Sequence, residues 1–400
     1  MRHIERSIEG KASYSTNAAG PVGRIRSLDG LRGVAALVVV IGHSLIVFPW
    51  LRYVHTSEDP LPFGTVSWWG THTPLHLLWA GSEAVYIFFV LSGFVLTLPV
   101  LQASSFSWRQ YYPRRLARLY LPVWAALAFA VVLTACVSLL DAPTAQVWLA
   151  EKEPLLAPLR IVRDAVLLTG VSDLNGPLWS LHWEMLFSLA LPAYVIFACR
   201  WRSLLGIKVA VVILISILGS TVLSPLQLVG DAFLFMPLFA LGALMAVEWP
   251  QLRTYALRID NLPRSHFAWN GLLGLAALVL CSYWLVLAFD PPKFVLDLTR
   301  PLSFTGAAVL VFCAAFHAAF RSALEWRAVQ WLGRISFSLY LVHGPILEVL
   351  NSFLRDDQRY VVMLVGIPVA LVLAQLFYIG VERPSLTFSR RLVADQGALQ

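Results

Sequence analysis

Apolar runs of about twenty residues recur along this chain, separated by short polar or basic connections. They lie near 32–50, 83–102, 119–140, 179–199, 204–223, 231–248, 271–289, 301–320, 335–353 and 360–381. A helix that crosses the hydrocarbon core of a bilayer needs about 20 mainly apolar residues. The pattern therefore predicts about ten transmembrane helices and an all-α, polytopic integral membrane protein.

Composition supports that class. Of the 400 residues 58% are hydrophobic and only 13% charged, with a mean hydropathy of +0.71. A soluble surface carries about a quarter charged residues. The positive net charge of +7 gains meaning from its placement. If the N-terminus is cytoplasmic, 22 of the 30 Lys and Arg fall in cytoplasmic segments. That is the excess such loops carry. Both termini are thus expected in the cytoplasm, and the charge reads as a topology signal rather than as a nucleic-acid surface. Residues 1–30 are polar, lack the apolar core of a signal peptide, and are expected to form a flexible cytoplasmic tail. The transmembrane domain is expected over 31–384 and a cytoplasmic C-terminal tail over 385–400.

Two outer loops stand out. The segment at about 141–178 contains LRIVRDAVLLTG, too short to span and suited to the membrane surface or to re-entry. The loop at 51–82 carries Trp68, Trp69 and Trp79, which suit an interfacial belt or stacking on sugar rings. Cys136, Cys199, Cys281 and Cys313 have no close spacing, so packing is their default role. His72 and His76 have the spacing of helical metal ligands, but Pro74 lies between them and a metal is not expected.

The stretch RSLDGLRGVAALVVVIGHS places ionisable groups inside an apolar run. Arg32 and His43 are eleven residues apart, about three turns and about 16 Å along a helix, and so share a face. Asp29 lies near the same stripe. The reading puts a charge pair at the cytoplasmic mouth and an imidazole roughly mid-membrane. Ionisable residues at such depth face a bundle interior or a water-filled cavity. A histidine held by a neighbouring helix is the bland reading, a functional imidazole the sharper one.

Further polar positions point the same way. Ser92-Gly93 in EAVYIFFVLSGFVLT is explained by close helix packing. WRQYYPRRLARLYLP clusters Arg109, Arg114, Arg115 and Arg118 on the cytoplasmic side, suited to phosphate or to anionic lipid. In GPLWSLHWEMLFSLALP, Ser180, Glu184 and Phe187 share a face, while His182 points elsewhere. A buried carboxylate beside a histidine makes a general-base pair, and Glu184 or Asp29 is the candidate partner of His43. In GRISFSLYLVHGPILEVL, Ser336, Tyr340 and His343 share a face, with a kink expected at Pro345. Interhelical bonding explains either stripe alone; together with His43 they suggest a polar cavity.

LDGLRGVAALVVVIGH, FFVLSGFVLT, RRLARLYLP, WSLHWEMLFSL, SFSLYLVH and the closing VERP at 381–384 occur in an order and spacing that resemble the membrane-bound acyltransferase-3 family, over about 24–390. Its members are similar to O-acetyltransferases of lipopolysaccharide, peptidoglycan and exopolysaccharide. The resemblance implies an acyl-CoA donor, usually acetyl-CoA, used from the cytoplasmic side, with no permanently bound cofactor. It implies an acceptor hydroxyl on a glycan or glycolipid, and a multi-pass protein of a bacterial plasma membrane. It makes His43 the essential histidine paired with Arg32, and matches Arg114, Arg115 and Arg118 to a basic motif near the nucleotide end of CoA. Glu184 matches the fourth-helix carboxylate. Ser188 and Phe337 depart from the pattern, both where tyrosine is common. No hydrolase-like domain is expected after the last span. The competing reading is a proton-coupled secondary transporter using His43 and Glu184, although no matching broken segments occur in its two halves.

Overall fold

The computed structural model describes residues 23–57, 59–140 and 143–397. The stretch expected as the N-terminal tail falls mostly outside them, and helix begins at Arg26, a turn before the expected domain boundary. No strand occurs among the described residues. All ten apolar stretches are helical: α1 (Arg26–Ile46), α2 (Gly81–Gln102), α3 (Trp108–Ser138), α4 (Leu178–Cys199), α5 (Arg202–Ser220), α6 (Leu228–Val247), α7 (Ser265–Leu280), α8 (Lys293–Phe316), α9 (Arg327–Ser352) and α10 (Val362–Leu392). Eight of these are long and apolar enough to cross a membrane. The other two differ for visible reasons. α7 stops after 16 residues at Cys281, and a separate short helix, Ser282–Leu287, completes the expected stretch. α9 has the length, but its polar face lowers its apolarity. The chain is an all-α, multi-pass membrane protein.

Two helices extend further than the hydropathy suggests. α3 starts at Trp108, so the arginine-rich segment is helix and not loop. α10 runs on through the closing motif, with helix extending to Gly397 through much of the expected C-terminal tail. A turn of wider π-type helix opens it at Val362–Gly366, and a second interrupts it at Tyr378–Glu382.

The core is organised around α1 and α9, which pack together in parallel. A Cβ on Gly33 would come 2.3 Å from the backbone nitrogen of Gly333, and one on Gly333 equally close to the Asp29 carbonyl. Two glycines thus let the backbones touch, as small residues do in membrane helices. α2 packs against α1 and α6. Gly93 lies against the backbone of Phe239, which bears out the packing role of that glycine. α9 stays helical through Pro345, which has no N–H to give the Leu341 carbonyl. Asn175 Nδ2 supplies that bond at 3.0 Å.

The segment between α3 and α4 contains a short helix, Pro158–Val166, with Leu159, Val162 and Val166 exposed along one side. It is tied to α3 by Tyr120 and Trp124, whose polar hydrogens meet the Val166 and Ala165 carbonyls. Trp79 of the other long loop is buried against Trp284, whereas Trp69 is half exposed.

Candidate functional site

α1 contributes groups at both of its ends. Asp29, in the first turn, accepts a 2.7 Å hydrogen bond from Arg24. A carboxylate there also complements the helix dipole. One turn on, Arg32 faces a cavity of about 810 Å³ that opens at this end of the bundle. Arg118 of α3, Arg334 of α9 and Arg390 of the α10 segment line the same hollow. Three carboxylates, Asp29, Glu184 and Glu382, share its wall. Guanidinium groups converging from four helices suit a polyanionic ligand.

The cavity narrows at Arg32, Ser92, Glu184, Ser336 and Phe337, which also line a small chamber of about 30 Å³ beyond. Charges inside a membrane bundle must be paired, and Glu184 is paired by Arg115. Arg115 Nη2 lies 2.5 Å from Glu184 Oε1, and its Nε donates to Ser188 Oγ at 3.0 Å. Ser92 Oγ donates to the same carboxylate oxygen at 3.3 Å. Glu184 is therefore the counter-ion of Arg115 and not the partner of His43. Arg114, one residue before, is exposed and outside the cavity lining. Helical geometry explains the difference, since neighbours in sequence point about 100° apart.

Ser180 and Tyr340 close the chamber, their hydroxyls 2.6 Å apart. Phe88 meets the Tyr340 ring edge-on at 5.8 Å between centroids. On its other side Tyr340 contacts His343, again at 5.8 Å. His343 is fully buried, and its Nε2 lies 2.8 Å from Nδ1 of the half-buried His43. The two ring planes are within 13° of parallel. His343 Nδ1 donates to the Leu339 carbonyl at 2.9 Å.

These contacts change three expectations. His43 lies in the last turn of α1 and not at the middle of that helix. Its neighbour Gly42 packs on the backbones of Trp79 and Gly81, where α2 begins. Asp29 is fourteen residues back on the same helix, about 21 Å away by helical rise, and does not reach the ring. Neither cavity includes His43 in its lining, so the arginine cavity and the imidazole pair are separate features joined through Tyr340. Of the other histidines, His182 bonds to the Leu167 carbonyl. His72 bonds to the Trp284 carbonyl and to the Leu61 N–H.

Several contributors carried no usable signal in the sequence. Ser92 was explained by packing alone, and Arg334 sits in a basic connection like any other. Ser188, where tyrosine is more usual, turns out to hold Arg115. Glu382 is different: it belongs to the closing VERP, and the π-type turn brings it to the cavity wall, with Ser338 donating to it at 2.5 Å.

A family model for an acyltransferase domain matches residues 25–379, nearly the whole membrane domain. The chain belongs to the acyltransferase-3 family. Among its relatives is a Bacillus subtilis protein provisionally named a peptidoglycan O-acetyltransferase, 26% identical over 85% of this chain. The alignment covers 57% of that relative, so this chain spans little more than half its length. An acyltransferase of Streptomyces mycarofaciens is also 26% identical, over 91% of this chain and 92% of its own. An O-acetyltransferase of Phomopsis amygdali is 25% identical, over 85% of this chain and 75% of its own. No solved structure matches the chain significantly.

Proposed function

We propose that this protein is a membrane-bound O-acyltransferase that moves an acetyl group from acetyl-CoA to a glycan hydroxyl, with His43 as its central base. The observation that carries the reading is the arginine-walled cavity, which enters at one end of the bundle and narrows towards an imidazole pair near the other. The Lys and Arg distribution supports a cytoplasmic arginine end, where acetyl-CoA is found, with both termini on the same side. Localisation is then the plasma membrane of a bacterium.

In this reading the CoA phosphates rest against Arg118 and Arg334, and the pantetheine arm enters past Arg32, Ser92 and Ser336. The acceptor hydroxyl approaches His43 from the opposite end. His43 removes the hydroxyl proton as the acceptor oxygen bonds to the acetyl carbonyl carbon. The carbon–sulfur bond breaks, and the proton passes to the departing thiolate, releasing free CoA. Ordered this way, the donor never has to cross. Tyr340 stands between the chamber and the imidazoles, and its ring has to turn aside for acetyl to pass.

The deciding experiment is free-thiol release from acetyl-CoA by the purified protein in lipid, with and without a cell-envelope glycan fraction. Release by the wild type that is lost in His43→Ala supports the assignment. Release that survives the substitution removes His43 from the chemistry. No release from wild type with any acyl donor points to proton-coupled transport instead.

A further inference from the structure

We infer that His343 is a positioning residue that fixes the hydrogen of His43 on Nδ1, leaving Nε2 of His43 as the basic atom. The inference rests on the acyl-transfer reading above and deepens it. A backbone carbonyl can only accept, so the 2.9 Å contact with the Leu339 oxygen places a hydrogen on His343 Nδ1. A neutral imidazole has one N–H, and Nε2 of His343 is then a bare acceptor. That atom lies 2.8 Å from Nδ1 of His43. Two unprotonated nitrogens at this distance repel, so Nδ1 of His43 carries the hydrogen between them. The free lone pair of His43 is on Nε2.

The chain from carbonyl to His343 to His43 does what a carboxylate does in other general-base sites. It selects one tautomer and supports the imidazolium that forms when the base takes a proton. It does so without a formal charge at rest, which suits a site within a membrane bundle, where an ionised carboxylate is costly. It also accounts for the distance of Glu184 and Asp29 from His43. Their place beside the ring is already filled. In the reaction the acceptor proton moves to Nε2 while Nδ1–H stays bonded to His343. The acceptor oxygen gains its bond to the acetyl carbon, sulfur leaves, and Nε2 returns the proton to sulfur.

Two replacements separate positioning from mere packing. Glutamine at 343 offers a side-chain carbonyl that can accept from His43 Nδ1, whereas leucine offers nothing. In lipid, with acetyl-CoA and a glycan acceptor, His343→Leu is expected to lower kcat by about 100-fold. The KM for acetyl-CoA should stay within about twofold, because the donor cavity is remote from the pair. His343→Gln is expected to recover at least about tenfold of that loss. Wild-type turnover in His343→Leu, or a glutamine variant as slow as the leucine one, overturns the inference. Nitrogen-15 NMR of histidine-labelled wild type, with His43 assigned from the His43→Gln spectrum, reads the tautomer without relying on either variant. A hydrogen on Nδ1 supports the inference and one on Nε2 overturns it. A wild type without acetyl transfer would sink the acyl-transfer reading, whereas the nitrogen spectrum judges the tautomer by itself.

Discussion

Gly33 and Gly333 touch where α1 and α9 cross, and each is followed ten residues later by one of the paired histidines. Parallel helices with equal spacings keep their register, so backbone contact at one level sets side-chain contact about 15 Å further on. Gly333→Ala would drive a methyl into the Asp29 carbonyl and move the helices apart. It is expected to destabilise by about 1–3 kcal/mol and to reduce turnover more than an equal loss of stability elsewhere. Thermal unfolding in detergent, set beside kcat, checks this.

The Arg115–Glu184 pair makes a second prediction. Removing one member of a buried ion pair strands the other, at about 3–5 kcal/mol, whereas removing both is far milder. Arg115→Met and Glu184→Gln should each unfold at lower temperature than the double variant. Singles that are harmless, or additive with the double, would show that the pair does not hold α3 to α4.

Arg118 and Arg114 form a matched test of the cavity. Arg118→Ala should raise the KM for acetyl-CoA by about tenfold, as expected for a lost charge-assisted hydrogen bond of about 1.5 kcal/mol, with kcat nearly unchanged. Arg114→Ala, one turn away and outside the lining, should leave KM at its wild-type value. Equal effects at the two positions would mean that a place in the cavity wall does not matter.

Tyr340 stands between the small chamber and the imidazoles. Tyr340→Phe removes only the hydroxyl contact with Ser180 and is expected to cost less than tenfold in kcat, in keeping with about 1 kcal/mol for one hydrogen bond. Tyr340→Ala removes the partition, and the expected sign is thiol release that no longer depends on glycan acceptor. Release that stays tied to acceptor in this variant would leave the ring without a gating role.

His72, in the loop before α2, gives a pH prediction. Burial holds its pKa below the usual histidine value, partly opposed by the bond to the Trp284 carbonyl. The folded loop needs the neutral ring, because Nε2 accepts the Leu61 N–H. The unfolded chain therefore binds protons more readily, and stability rises with pH. The contribution is present above the unfolded value of about 6.5 and falls away as pH drops below it. His72→Gln should flatten the decline in melting temperature between about pH 7 and pH 5.

Hydropathy exposed the ten helices because the bilayer demands long apolar runs whatever the packing. It misplaced the end of α1, since Phe48 and Trp50 continue the apolar run past Ile46 while Pro49 starts another helix. That difference put His43 at the middle of the expected span, whereas it lies in the last turn of α1. Spacing along one helix did reveal that Arg32 and His43 share a face. Partners across the bundle were not legible: His43 and His343 are 300 residues apart, and nothing local to either names the other. Glu184 was a sound candidate for a histidine only while the direction of Arg115 was unknown. The four arginines of α3 looked equivalent until the structure set Arg115 and Arg118 in the cavity wall and left Arg109 and Arg114 exposed.

The arginine-lined hollow also bears on electrical behaviour. Where it enters the bundle, aqueous solution reaches Arg32 and Glu184, and only about 16 Å of protein by helical rise separates this level from His43. The transmembrane voltage is concentrated over that short, dry stretch instead of the full hydrocarbon thickness of about 30 Å. An ion carried through it would feel the field as work, at about 2.3 kcal/mol per charge per 100 mV. An acetyl group is neutral, and in the proposed reaction the phosphates of its donor stay on the conducting side. Turnover should therefore proceed at the same rate in energised and de-energised vesicles.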